Sequence, residues 1–187
     1  MKIAGIDLAG SPGNETGLCI LEINKKDENE EKFAVTKILH SDTEIIENLK
    51  KIDPDITAID APLKFSGVNR ECDEELRKYG ALPVTLRGMN VLAKRGKELA
   101  GELKKLNLNY IEIFSTASAK ILGLYDKDVM KVQKGLIKFG IRGDTEKRIL
   151  TKDETDAIFA ALTGYLHLEG LTEEVGDDEG KIVVPRV

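Results

Sequence analysis

Apolar positions along this 187-residue chain recur with two different periods, and the switch between them marks out the elements. Lys2 to Ala9 is a short, nearly continuous apolar run that predicts a buried strand, closed by the turn formers Gly10-Ser11-Pro12-Gly13-Asn14. Thr16 to Ile23 predicts a second strand at hairpin distance, and Phe33 to Leu39 a third, with the charged stretch Lys25 to Lys32 as a loop tip between them. At Thr43 the period changes. Ile45, Ile46, Leu49 and Ile52 fall on one helical face, and Asp53-Pro54 ends that helix. Ile56 to Ala61 is a fourth strand, stopped by Pro62.

The middle of the chain reads as helical: Asn69 to Tyr79 with Gly80 as a C-terminal cap, then a longer stretch from about Gly88 to Leu106. Tyr110 to Phe114 predicts a fifth strand, and Ser115 and Thr116 are N-cap candidates for the short helix that follows. Asp126 to Phe139 predicts a further helix, interrupted by Gly135. Thr151-Lys152-Asp153-Glu154 has the form of a capping box, so a helix should run from Lys152 to about Leu168, with Gly170 past its end. The acidic tail from Thr172 to Gly180 reads as loose, and Lys181 to Val184 as a short strand or clamp. The sum is one α/β domain over residues 1–187. Its mixed five-stranded sheet runs β-β-β-α-β-α-β-α, with a helical insertion at about 66–107 between the fourth and fifth strands.

Charge sharpens this picture. The formal net charge is −5, yet residues 81–152 hold fifteen Lys/Arg against seven Asp/Glu, a net +8, and the remainder thirteen against twenty-six, a net −13. Such asymmetry suits a polyanion on one face and carboxylates gathered elsewhere, or else simply solvated helix faces. No apolar run approaches the roughly 20 residues that span a bilayer. The opening residues lack the apolar core of an export signal, so a cytoplasmic protein with Cys19 and Cys72 reduced is expected. A chain of this length buries enough surface that a metal would serve function rather than stability. Aromatics are only 5% with no Trp, which argues against stacking as the main binding device.

The candidate chemistry lies in carboxylates. Gly5-Ile6-Asp7-Leu8-Ala9 and Ala58-Ile59-Asp60-Ala61-Pro62 each place a lone acid at the end of an apolar strand. A buried acid must be paired, protonated or bound to a cation, because desolvation disfavours its charged form. Glu112 repeats the theme on the Tyr110 to Phe114 strand, and Asp153 and Asp156 stand three apart on the last helix. If these segments meet, oxygen-only donors suit Mg²⁺ or Mn²⁺, and a pair of such ions supports in-line hydrolysis of a phosphodiester. Judged singly, each acid is more often a cap or salt-bridge partner; only the conjunction favours a metal site, with Asp7, Asp60 and Asp156 as ligands and Glu112 and Asp153 as further catalytic candidates.

The β-β-β-α-β opening, with an aspartate ending the first and fourth strands and an acid on the final helix, resembles the RNase H-like fold of ribonucleases H and Holliday-junction resolvases. More narrowly, GIDLAGS at 5–11, IDAPL at 59–63, NRECDEELR at 69–77, YIEIFSTAS at 110–118, DETDAIFAALTG at 153–164 and EGKIVVP at 179–185 resemble the predicted RNase H-like nucleases of domain-of-unknown-function family 429. The resemblance implies a metal-dependent nuclease. It matches Asp7 and Asp60 to the strand acids, Glu112 to the acid of the IE-aromatic strand and Asp156 to the aspartate of the terminal DA dipeptide. Asp153 falls where resolvases place a histidine or aspartate, and Ser115 stands where the family is expected to carry proline.

Substrate contacts are sought among cations of the middle block. Arg70, Asp73 and Arg77 share a helix face, as a phosphate holder or an internal ion network. Arg87, Lys94, Arg95, Lys97, Lys104 and Lys105 could track a phosphate backbone, or form a solvated face with Glu98 and Glu102. His40, His167, Cys72 and Ser11 lack the partners that metal binding or nucleophilic catalysis requires. Three functions therefore compete: a Mg²⁺- or Mn²⁺-dependent nuclease acting on RNA, DNA or a branched form; a phosphate-binding domain, since the Asp7-Leu8-Ala9-Gly10-Ser11 turn also resembles the phosphate-binding hairpin of actin-like ATPases and sugar kinases, which would need a homodimer to complete its cleft; and a non-catalytic scaffold binding nucleic acid or protein.

Overall fold

The computed structural model of the protein describes residues 1–26 and 29–186. Strands β1 (Lys2–Asp7), β2 (Thr16–Lys26) and β3 (Asn29–Leu39) form an antiparallel meander, as the apolar runs predict. Both hairpin arms extend beyond the core into residues expected as a loop tip. There Lys25 pairs with Glu30 and Asn24 with Glu31, so the polar tip is a two-stranded ribbon; Asp27 and Glu28 lie outside the described residues. Helix α1 (Asp42–Ile52) starts one residue earlier than the pattern suggests. Its true N-cap is Ser41, whose hydroxyl accepts from the Glu44 amide while the Glu44 carboxylate reaches back to the Ser41 amide. Strand β4 (Ile56–Asp60) then lies parallel to β1.

The insertion contains α2 (Glu71–Glu75), a 3₁₀ turn (Leu76–Tyr79) and α3 (Arg87–Lys105). The segment expected as one helix from Asn69 is thus a single α-turn that tightens to 3₁₀, closed by Gly80 at φ 103°. Strand β5 (Tyr110–Ile113) joins β4 in parallel, followed by α4 (Ser115–Ile121) and α5 (Val129–Lys138). A three-residue strand, β6 (Ile141–Gly143), and a short helix, α6 (Asp144–Lys147), precede α7 (Lys152–Leu168). The chain closes with a hairpin, β7 (Thr172–Asp177) and β8 (Gly180–Pro185).

The five expected strands are present, but the sheet has eight among the described residues, in the order β6-β3-β2-β1-β4-β5-β8-β7. The last two are β7, from the tail expected to be loose, and β8, from the segment expected as a short strand or clamp. Strand β8 is apolar at Ile182, Val183 and Val184, all buried, whereas β7 is a polar edge strand whose charges deter further pairing.

Two layers of helix cover the sheet, sorted by residue parity along the strands. Ile3 of β1 packs with Ile158, Phe159 and Leu162 of α7, while Ala4, Ile6 and Leu8 pack with Ile45 and Leu49 of α1 and Leu99 and Leu103 of α3. Helix α7 lies unusually close to β1 and β2. A Cβ at Gly5 would stand 2.1 Å from the Ala157 carbonyl oxygen, and one at Gly17 would stand 2.1 Å from that of Asp153. Only glycine admits that approach, and it brings the first turns of α7 down onto the strand that carries Asp7.

Candidate active site

The site gathers at the carboxyl ends of the parallel strands, the edge of an α/β sheet where crevices form. Asp7 closes β1 and Asp60 closes β4, and the two are register partners on adjacent parallel strands. Register partners project to the same face, which is the face α7 covers. Asp156 enters from the second turn of α7, and all three carboxylates line one cavity of about 230 Å³.

Their electrostatics are those of acids short of compensation. Burial pushes Asp7 well above the ordinary carboxylate range, and the charges of Asp60, Asp156 and Asp153 push it further. Burial and Asp156 raise Asp60 to about 7, against hydrogen bonds from Ser115 that pull it down. Asp156 is raised too, by burial and by Asp153, although Lys152 pairs with it one helical turn away. Lys152 is the cation that appears in all three balances, and its side chain is 69% exposed. One largely solvated ammonium does not neutralise three desolvated acids.

Ser115 settles the turn after β5. It is the first residue of α4 rather than its cap: its amide donates to Asp60 Oδ2 at 3.1 Å, and its hydroxyl donates to the Asp156 carbonyl at 2.8 Å. It thereby ties the ends of β4 and α7 together. A proline here would fit the backbone, because Phe114 is extended and the first helical position tolerates proline, but it would forfeit both the amide to Asp60 and the hydroxyl to the Asp156 carbonyl.

Glu112 stands elsewhere. It pairs in register with Ile59, one residue short of Asp60, so it projects to the opposite face of the sheet. There it is 6% exposed and meets Arg70, whose Nη1 donates to Oε2 at 3.0 Å, while the Leu63 amide donates to the same oxygen at 2.7 Å. Arg70 also donates to both oxygens of Asp73, at 3.0 and 2.7 Å. One guanidinium thus serves two acids; burial raises Glu112 to about 7 against the pull of Arg70, and its Oε1 meets Arg70 Nη1 at 2.8 Å as an ion pair without hydrogen-bond geometry. This buried network braces the α2 segment against β5 and the strand-ending loop at Leu63, at the far wall of the same cavity.

Asp153 lies beside Asp7 but borders a second, open cavity with Gly10, Gly13, Asn14 and His40. Among the cations, Arg95 is 5% exposed and fully engaged, donating to Asp42 Oδ1, the Ala9 carbonyl and the His40 carbonyl at 2.8, 2.6 and 2.7 Å. It clamps α3 to the ends of β1 and β3 instead of facing solvent. Arg77, Arg87 and Lys94 are exposed, and Arg77 pairs with Glu74. Lys152 was not among the sequence candidates, although its i, i+4 spacing to Asp156 was legible. His40 reaches the rim of the site with its Nδ1 3.2 Å from the Asn14 carbonyl oxygen, a placement that nothing in its sequence neighbourhood signals.

Among the described residues, no three carboxylate, histidine or cysteine side chains are gathered tightly enough to form a ready-made metal cage. The donor set nevertheless suits a hard cation: oxygen donors only, low exposure and excess negative charge.

The fold is similar to that of RuvC from Thermus thermophilus, with a TM-score of 0.59 and 11% identity over 97% of this chain and all of the RuvC chain. The mixed sheet flanked by helices is therefore an RNase H-like fold. No family profile matches the chain, and no curated protein does.

Proposed function

We propose that this protein is a metal-dependent nuclease that hydrolyses phosphodiester bonds of nucleic acid. The observation that carries the proposal is the convergence of Asp7, Asp60 and Asp156 from β1, β4 and α7 onto one cavity, where burial and mutual repulsion raise all three pKa values. The RNase H-like fold, shared with RuvC, supports it.

Asp7, Asp60 and Asp156 would hold Mg²⁺ or Mn²⁺. Such an ion, when bound, supplies Lewis acidity and a water of lowered pKa. The remaining work falls to the chain itself. Ser115 fixes the Asp60 carboxylate and the start of α7 relative to each other. Lys152, paired to Asp156 but largely exposed, is free to leave that carboxylate and take a phosphate oxygen. Glu112, Arg70 and Asp73 hold the loop after Asp60 through the Leu63 amide, a positioning role on the opposite face. The basic block that carries α3, α4 and α5 gives a polyanion its long-range attraction.

The metal-free scaffold reading draws on one specific observation: Lys152 already gives the cluster a positive charge of its own. Metal titration separates the two. Millimolar Mg²⁺ or Mn²⁺ should raise the Tm, because the ion binds only the folded cluster, and should switch on cleavage of labelled DNA or RNA. No Tm shift and no cleavage would leave the scaffold.

A further inference from the structure

The cavity that holds the three acids has a second wall of different chemistry. Opposite the carboxylates stand Ala81, Leu82, Met89 and Leu92 of the insertion, with Phe114 from the end of β5. Leu82 is 53% exposed, and Met89 and Leu92 are half-buried. An apolar surface kept open beside a cluster of desolvated acids is costly to maintain without an occupant.

Nor is that wall a loose flap. Arg95 fastens α3 to the Ala9 and His40 carbonyls at the ends of β1 and β3. One residue on, Gly96 packs so closely on the strand-ending loop that a Cβ would stand 2.3 Å from the Pro62 carbonyl oxygen. Leu92 lies about one turn before this clamp and Met89 about two, on the same side of the helix. The clamp on β1 and β4, the strands that bear Asp7 and Asp60, therefore sets the apolar wall at a fixed place over the acids. On the other side Arg70 holds the start of α2, and a Cβ at Gly180 of β8 would meet its side chain at 2.9 Å.

With the divalent ion of the proposed function held by Asp7, Asp60 and Asp156, a ligand that satisfies both walls would have a flat apolar body and an anionic group side by side. The volume of about 230 Å³ is below that of ordinary drug-sized sites and suits one nucleoside, not a base pair within a stack. The geometry points to a nucleoside pocket: this cavity receives one unpaired nucleotide, its base against Leu82, Met89 and Leu92 and its phosphate toward Asp7, Asp60 and Asp156. The substrate is then single-stranded or frayed nucleic acid, and continuous duplex is excluded because its bases would have to leave the stack. This rests on the nuclease reading given above and names the substrate class of the same site.

The test uses the full chain with Mn²⁺ and four probes: a single-stranded oligonucleotide, the same sequence as a blunt duplex, the duplex with an unpaired internal stretch, and a free mononucleotide. Anisotropy measures binding and gel analysis measures cleavage. Single strand and the unpaired stretch should bind at least tenfold more tightly than blunt duplex. In a Leu82→Ser/Met89→Ser double variant that preference should fall at least tenfold, through KM rather than kcat, with the Tm held within a few degrees. Met89→Leu should restore it when paired with native Leu82. Tight binding of the mononucleotide alone would move the pocket's ligand from a strand to a free nucleotide and overturn the substrate class. Cleavage of duplex as fast as single strand, unchanged in the double variant, would overturn the pocket while leaving the nuclease reading intact. Selective single-strand binding without cleavage would do the reverse.

Discussion

Glu154 and Asp156 stand two residues apart on α7 and meet opposite surroundings. Glu154 is 2% exposed, and its carboxylate accepts from Arg148 Nη1 at 3.0 Å, Thr36 Oγ1 at 2.8 Å and the Thr151 amide at 2.9 Å. Burial alone would raise its pKa, but those donors outweigh it and hold Glu154 below the ordinary value. Asp156 has Lys152 as its charge partner, faces Asp7, Asp60 and Asp153, and is raised. The first acid is a completed fastening between α7, β3 and the segment after α6. The second belongs to a set whose compensation is unfinished within the chain. The cost of burying a carboxylate depends on how many donors meet it, and where donors run short the deficit marks the place for an external cation.

The largest effect should come from the unfinished set. Asp7→Asn should lower metal-dependent cleavage on the order of 10³-fold, because it removes an oxygen donor from the point where charge develops. Its Tm should not fall, since one repelling acid is gone. A variant that cleaves normally would break the contrast at its root.

The finished set should respond in the opposite way. Glu154→Ala takes the shared carboxylate from Arg148 and Thr36, whose side chains keep only the bonds between these two residues and to Asp144, and removes the N3 half of the α7 capping box, for a loss of about 3 kcal/mol in chemical denaturation. Cleavage per folded molecule should change far less than in Asp7→Asn.

The pH dependence of stability sharpens the comparison by sign. Asp60 rises from 3.8 to about 7 on folding, so between those values the folded state holds more protons than the unfolded. Stability without divalent ions should fall as pH climbs through that window, and Glu112, raised to about 7 by burial, adds to the slope. Glu154 contributes the other way: its stabilisation is present above its unfolded value of 4.5 and is lost as pH drops through its lowered folded value. Thermal melts across pH 3 to 8 with Mg²⁺ should flatten the Asp60 share of the first slope and leave the Glu112 share and the second slope. An unchanged neutral limb in saturating Mg²⁺ would separate the acid cluster from metal binding.

The smallest effect should be at Ser115→Pro. It deletes two hydrogen bonds, the amide's to Asp60 and the hydroxyl's to the Asp156 carbonyl, each worth about 1 kcal/mol, in a backbone that accepts the ring. The alkaline shift expected for the Asp60 titration is measurable by carboxylate NMR, and no shift would mean that the amide does not hold that carboxylate.

Much of this architecture was legible in the chain. The apolar runs ending in Asp7 and Asp60 predicted both strands, and Thr151-x-x-Glu154 placed the start of α7 at the residue observed. The strands that were missed share a physical reason. β6 is three residues long, and β7 is a polar edge strand, so neither carries an apolar period to read; each is specified by its neighbour, β3 or β8. The paired arms beside the polar tip of the first hairpin, Asn24 and Lys25 against Glu30 and Glu31, were missed because they are polar and lie beyond the core, where no apolar period marks a strand.

Sequence by itself determined that lone acids end apolar strands and that such acids need compensation. It could not determine which acids share a face. That was decided by register: Asp60 aligns with Asp7, and Glu112 aligns one step short, with Ile59. A strand alternates sides with every residue, so a single step sends Glu112 to the opposite layer, where Arg70 receives it. Register across parallel strands is set by packing between residues far apart in the chain, through α7 on one face and α1 and α3 on the other, and no local pattern contains it.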